Sequence, residues 1–444
     1  MAHDVPPGSG WQFSRLLAAP HRLLFSAAAL VWLVAAGWWA AVLGLAALHT
    51  DTAAALHWAV PPALAHALLM TLGFLPLFFA GFLFTAGPRW LQAPAPDARA
   101  LRGPTVAVLA GWGLLLPALH LDNRLAAAAL LPAAAGHSLL VLQLARLCRH
   151  GQPGRRQHAV LASVGCGLCA AALWAAAAAL ASGATAALAA LLAGALWLAI
   201  GGVLVVAAQR MSPWLAEESP TPWLLLLAGQ ALARAFDALG WPLPAPVRAL
   251  LALALGTLAL RSAWALRHAA LPHGQRTPML RMLRAAAGWR SVALALAAGG
   301  HALAMFGAGV LGDTTGPSAW ASPAATGLIP LAAALAMAAT HALALGFCGG
   351  HLLVMASRIS AMHNGRTSAA DTVVWHLHLG LQALVALRLA GALATPFITT
   401  PGLAADLHGA LLAGVALGWA GLAAAWTTRH GPWMGQMARQ RPGA

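Results

Sequence analysis

Polar residues do not alternate with apolar ones along this chain. Apolar residues run in blocks of about 18 or more, separated by short segments that collect arginine, proline and glycine. A helix rises about 1.5 Å per residue, so about 20 such residues cross a hydrocarbon layer of about 30 Å. A membrane barrel strand would show polar residues at every second position, which these blocks lack. Backbone amides in lipid must be satisfied within their own segment, which leaves the helix as the spanning element. The blocks predict spans at about 23–47, 61–86, 104–121, 124–147, 159–182, 184–208, 222–240, 246–267, 288–312, 323–357, 372–395 and 404–427. The tenth is longer than a bilayer requires, so it tilts or projects. The segments between spans are too short for a separate soluble domain. The expected fold is an all-α integral membrane protein: a bundle of about twelve transmembrane helices over 23–427, flanked by an N-terminal segment (1–22) and a C-terminal tail (428–444).

Composition strengthens this reading. Of 444 residues, 61% are hydrophobic and 8% charged, whereas soluble domains carry about a quarter charged residues. That excludes a water-soluble globule. The net charge of +15 raises the question of nucleic acid, but the 25 basic residues are all arginine and form no dense phosphate-tracking block. They fall between the apolar blocks instead. With the N-terminus placed in the cytoplasm, 21 arginines lie in cytoplasmic segments. Arg124 and Arg248 lie opposite, and Arg234 and Arg388 fall within spans. This asymmetry predicts a bacterial inner-membrane protein with both termini inside and lipid as its surroundings. Pro6, Pro7 and Gly8 precede Trp11, and the first block is too long for a signal-peptide core, so the first span is expected to stay. Cys148, Cys166, Cys169 and Cys348 lie in or beside apolar blocks, which argues against a disulfide framework. The Cys166/Cys169 pair, lacking a second pair, reads as packing.

Candidate chemistry rests on the nineteen histidines, which outnumber the ten acidic residues. His21, His150, His158, His268, His273 and His430 sit among basic loop residues and read as solvated. His66, His120 and His408 fall near outer span ends, and His137, His301 and His341 near mid-depth. His351 lies nearer the cytoplasm, and His376 and His378 begin the eleventh span. A polar ring at that depth needs a partner. Neutral imidazole ligates haem iron and copper, and two rings facing across a bundle would hold a b-type haem without a C-x-x-C-H attachment motif, which is absent. A single intramembrane histidine is more often an interhelical hydrogen-bonding group than a ligand, and several at similar depth shift that balance toward a ligand role. His66 and Met70 are four residues apart on one helix face, a pairing that suits haem iron or Cu(I), although methionine also fills gaps. Arg388, inside the eleventh span, either snorkels or needs an anion.

Two longer patterns carry a resemblance. The second span ends Gly81-Phe82-Leu83-Phe84-Thr85-Ala86-Gly87-Pro88-Arg89-Trp90, where Pro88 is expected to stop the helix and Arg89-Trp90 to anchor it. This is similar to the GFLLTAvPNW signature of the NnrS family, bacterial polytopic membrane proteins reported to bind haem and copper and associated with nitric-oxide stress. The stretch containing His341, Gly346, Met355, Arg358, His363, Gly365 and Arg366 resembles that family's HAL-x-x-G…M-x-x-R-x-x-x-GH-x-GR segment. Gln209-Arg210-Met211-Ser212-Pro213-Trp214, Pro278-Met279-Leu280 through Trp289, and Arg429-His430-Gly431-Pro432 with Arg441-Pro442-Gly443 match weaker motifs in the same order. Some positions depart from the pattern: Leu68 and Leu69 replace the second His and the Glu of H-x-H-E-M, Arg284 stands for a His, and Arg89 for the Asn of the signature.

The resemblance implies haem b, with copper as a further cofactor, and a role in the nitric-oxide response or protection from nitrosative stress. His341 and His66 would then be metal ligands assisted by Met70, with nitric oxide, or another small diatomic, as ligand. His363 and Arg366, in a cytoplasmic loop, would contact haem propionates or serve only ion pairing and topology, and Arg388 would meet a propionate unless it snorkels. Catalytic turnover has no support, since Asp237 and Asp406 lie near outer helix ends rather than at mid-membrane. Two other readings stand beside this one. A secondary transporter would share the architecture, but the halves show no repeat and little intramembrane acid. A metal-free scaffold or maturation factor for a respiratory complex would explain Leu68, Leu69 and Arg284.

Overall fold

The computed structural model describes residues 10–48, 57–212, 215, 219–268, 277–312, 323–366 and 371–437. Pro213, Trp214, His273, Arg276, Arg439 and Arg441-Pro442-Gly443 lie outside the described residues. Among the described residues there is helix and no strand, in twelve long segments, one for each predicted block. They are α1 (Pro20–Ala47), α2 (Pro62–Leu91), α3 (Arg102–Leu121), α4 (Asn123–His150), α5 (Gln157–Ala181) and α6 (Thr185–Met211). Then come α7 (Pro220–Ala238), α8 (Ala245–His268), α9 (Pro278–Gly312), α10 (Pro323–His341, Ala342–Gly349 and Gly350–His363 in one run), α11 (Thr372–Ala394) and α12 (Leu403–Gly435). Ten are long and apolar enough to cross a membrane; α7 and α9, which carry Arg234 with Asp237 and Arg281, Arg284 and Arg290, are outside that ten. The protein is an all-α membrane protein.

The helices are apolar on the outside as well as the inside. On α8, Leu250, Leu253, Leu260 and Trp264 are exposed, the surface expected where lipid rather than water is the solvent. Neighbours in sequence pack as antiparallel pairs, notably α3 on α4, α4 on α5 and α8 on α9. Asp122 makes the α3–α4 turn possible: its side chain accepts hydrogen bonds from the Arg124 and Leu125 N–H groups (2.7 and 3.1 Å), satisfying donors that open α4. The first and last helices also meet. Gln12 N–H donates to the Gly435 carbonyl (2.9 Å), and the nearly buried Arg22 donates to the carbonyls of Met434 (2.9 Å) and Gln436 (2.7 Å). Residues 12 and 435 therefore lie on the same side of the bundle.

Two expectations need correction. Pro88 does not stop α2, which continues to Leu91 and ends where Gln92 takes a left-handed conformation (φ 51°) and Ala93 N–H returns to the Pro88 carbonyl. Proline removes one donor but cannot end a helix whose later amides still reach their acceptors. Second, α9 starts at Pro278, ahead of the predicted 288, because Pro suits a helix first turn and Thr277 Oγ1 accepts from Leu280 N–H (3.4 Å). Its arginines disguised these turns as loop. One of them, Arg290, is 2% exposed, lies 3.6 Å over the Trp223 ring and donates to Ser262 Oγ (3.0 Å).

Candidate functional site

Three helices widen into π turns: Leu69–Gly73 in α2, Ala195–Ile200 in α6 and Ala342–Gly349 in α10. The first has a cause in sequence. Pro76 has no N–H for the Leu72 carbonyl, and its ring crowds the turn before it. The third contains Gly346, where an added Cβ would stand 2.4 Å from Trp289 Cγ, so only glycine admits that indole. Four α-helical residues overshoot a full turn by about 40°, and a wider i→i+5 turn offsets that drift for residues four apart. His66, Met70 and Phe74 on α2, and His341 and Leu345 on α10, are spaced in this way and line one cavity.

All three π turns border that cavity, whose volume is about 440 Å³. This is within the range of cofactor and ligand pockets. Its walls are largely apolar and aromatic, with Trp32, Phe74, Trp197 and Trp419 among them. His66, Met70, His341 and Arg388, four residues singled out from sequence on three different helices, all reach it. His66 and His341 are within electrostatic reach of each other and of Arg388.

His66 is held by stacking on Trp39, with ring centroids 4.1 Å apart and planes 25° from parallel, and its buried Nδ1 has no hydrogen-bond partner among the described residues. His341 Nδ1 lies 3.0 Å from the Met337 carbonyl, which must accept, so Nδ1 carries the hydrogen and Nε2 keeps its lone pair. A backbone acceptor on one ring nitrogen is the usual device for orienting a metal-binding imidazole. Arg388 makes no hydrogen bond or ion pair among the described residues, so it is a cation available to an anionic group in the cavity. The donor set therefore fits a haem: two imidazoles, a thioether, apolar walls and an arginine for carboxylates. Among the described residues no three His, Cys, Asp or Glu side chains cluster as a metal site, so a copper ion would rely on His66, His341 and the Met70 thioether.

A second cation, Arg234, also lines the cavity and was not anticipated as a site residue. It sits 3.4 Å from Asp237 Oδ2, and Asp237 also pairs with Arg248. Arg248 contacts His301 Nδ1 (3.5 Å), and His301 Nε2 lies 2.7 Å from Gln230 Oε1. His301 is thus consumed by a polar network between α7, α8 and α9. His120 is similarly engaged by the Trp38 indole and the His57 carbonyl.

His363 and Arg366 are not brought to this cavity. His363 comes 22 positions after His341 along one helix, a rise of about 33 Å, and it lines a separate cavity at the other end of α2. Arg366 lies 4.0 Å over the Trp433 ring. Leu68 and Leu69 are fully buried in the core and do not line the cavity, and Arg284 donates to the Leu266 and Arg267 carbonyls that end α8. The four cysteines are buried and free. Sequence reasoning missed Trp39, Arg234 and the π turns; Pro76 after His66 was the signal for the first turn.

Comparison with curated proteins and with solved structures gives no match for this chain. The NnrS family model matches residues 15–437, nearly the whole length and inclusive of every residue that lines the cavity, and the chain belongs to the NnrS family.

Proposed function

We propose that the central cavity holds haem b and that the protein serves the nitric-oxide response of the bacterial inner membrane, with both termini in the cytoplasm. The observation that carries this reading is the meeting of His66 and His341, from α2 and α10, in one apolar cavity beside Arg388. A haem held by these residues would supply an iron centre able to bind a small diatomic molecule. The protein's own residues set the conditions. The Met337 carbonyl keeps His341 Nε2 unprotonated, and Trp39 fixes the plane of His66. Arg388, which lines the same cavity as Arg234, offers charge-assisted hydrogen bonds to propionates. Trp32, Trp197 and Trp419 exclude water. Nitric oxide is small and apolar enough to arrive through lipid.

Met70 beside His66 favours a second reading, in which the same donors hold copper, since thioether and imidazole suit Cu(I). The deciding experiment is a reduced-minus-oxidised spectrum with a pyridine haemochrome assay and metal analysis on detergent-purified protein, His66→Ala and His341→Ala. The expected result is stoichiometric haem that either substitution removes. Copper without haem favours the second reading. Clean protein with neither, from a haem-sufficient host, sinks both and leaves a scaffold or carrier.

A further inference from the structure

At the end of α2 remote from His66 lies a second cavity, of about 460 Å³, lined by the residues that lead into α1 and open it (Leu17 to His21), by Thr85 and Arg89 of α2, by Asp97 and by His363. None of these residues lines the central cavity, so a ligand here would touch none of the residues proposed to hold haem. His21 is 1% exposed, and its Nδ1 has no hydrogen-bond partner among the described residues. Buried ring nitrogens are normally paired, so an orphan in a cavity wall points to a ligand. The His363 ring stands over His21 at 4.3 Å between centroids, at the exposed mouth.

The charge around the two rings is positive. Arg89 makes no hydrogen bond or ion pair among the described residues. Arg22 adds a second charge beside the pair, although its guanidinium hydrogen-bonds only carbonyls. The cavity also takes in the N-terminus of α1, which has Pro20 in its first turn and no side-chain cap, so the positive end of the helix dipole is unmasked. Asp97 is the only carboxylate in the lining among the described residues, and its Oδ1 is occupied by Arg99 N–H (2.9 Å). One available arginine with a second positive charge nearby, a helix N-terminus and a buried ring nitrogen suit an oxyanion far better than a metal cation.

We propose that this cavity binds a phosphate-class oxyanion through Arg89, His21 and His363. The group could be free inorganic phosphate or the phosphodiester of an anionic lipid headgroup, and exposed Trp11 and Phe13 near the start of α1 place the mouth beside the membrane surface.

The test uses the delipidated full-length protein, with Arg89→Gln and His21→Asn. Inorganic phosphate is titrated calorimetrically at constant ionic strength, and retention of phosphatidylglycerol against phosphatidylcholine is read by native mass spectrometry. Saturable binding is expected, weakened about tenfold in each variant by loss of one charge-assisted bond. Phosphate binding alone identifies a soluble oxyanion, and phosphatidylglycerol selectivity alone identifies a headgroup. Should His21→Asn fail to fold, the exposed Arg89→Gln still decides. Absence of both kinds of binding, or binding that Arg89→Gln leaves unchanged, overturns the proposal.

Discussion

His66 of α2 stacks on Trp39 of α1, with ring centroids 4.1 Å apart and planes 25° from parallel. The contact fixes the imidazole at the cavity wall while leaving its buried Nδ1 unpaired. Trp39→Leu should keep the fold and loosen the ring. An aromatic pair of this kind contributes about 1 kcal/mol, so haem affinity should fall several-fold with a shifted Soret band. An unchanged spectrum and affinity would mean that His66 is not a ligand.

Arg388 carries the charge expected to meet a carboxylate. Arg388→Gln should raise the rate of haem loss to apomyoglobin about tenfold, with Arg388→Lys between it and wild type because lysine keeps the charge and loses the fork. Equal rates in all three proteins would assign Arg388 to lipid or solvent instead.

Asp237 pairs with both Arg234 and Arg248, and Arg248 is nearly buried. Asp237→Asn removes the counter-charge from two arginines. Breaking such a pair costs about 3 kcal/mol, which a thermal melt in detergent would show as a clear drop. A double variant, Asp237→Asn with Arg248→Met, should recover part of that loss, because the stranded charge is gone.

Asp371 opens α11 and pairs with Arg429 of α12. Burial raises its carboxyl pKa, but the Val374 N–H and Arg429 outweigh burial and hold it below the ordinary value. A depressed carboxyl stabilises the fold above its unfolded pKa, and that contribution is lost as pH falls through the folded value. Wild type should therefore melt above Asp371→Asn at pH 7, and the two should converge below about pH 4. A constant gap down to pH 2 would remove the ionised pair from the account.

Gln12 and Gly435 meet on one side of the bundle, and the arginine distribution predicts that this side faces the cytoplasm. A fluorescent protein fused after Met437 should fluoresce, and alkaline phosphatase fused at Asp122 should be active. The reverse pattern would invert the bundle.

Class, helices and family were all legible in the amino-acid pattern. Continuous apolar blocks leave a spanning chain no other secondary structure, and the ordered motifs from Gly81 to Trp90 and from His341 to Arg366 point to one family. It also supplied His66, Met70, His341 and Arg388, because a polar group at membrane depth is costly and therefore conspicuous. It took the packing of the helices to show that these four share a cavity, that Trp39 and Arg234 join them, and that His363 and Arg366 do not. Packing also buried His21 and His430, which the sequence placed among solvated loop residues. The difference comes from the solvent. A soluble helix marks its inward face by a polar outer face. In lipid both faces are apolar, so sequence spacing tells which residues share a helix side but not which sides of α2, α10 and α11 meet.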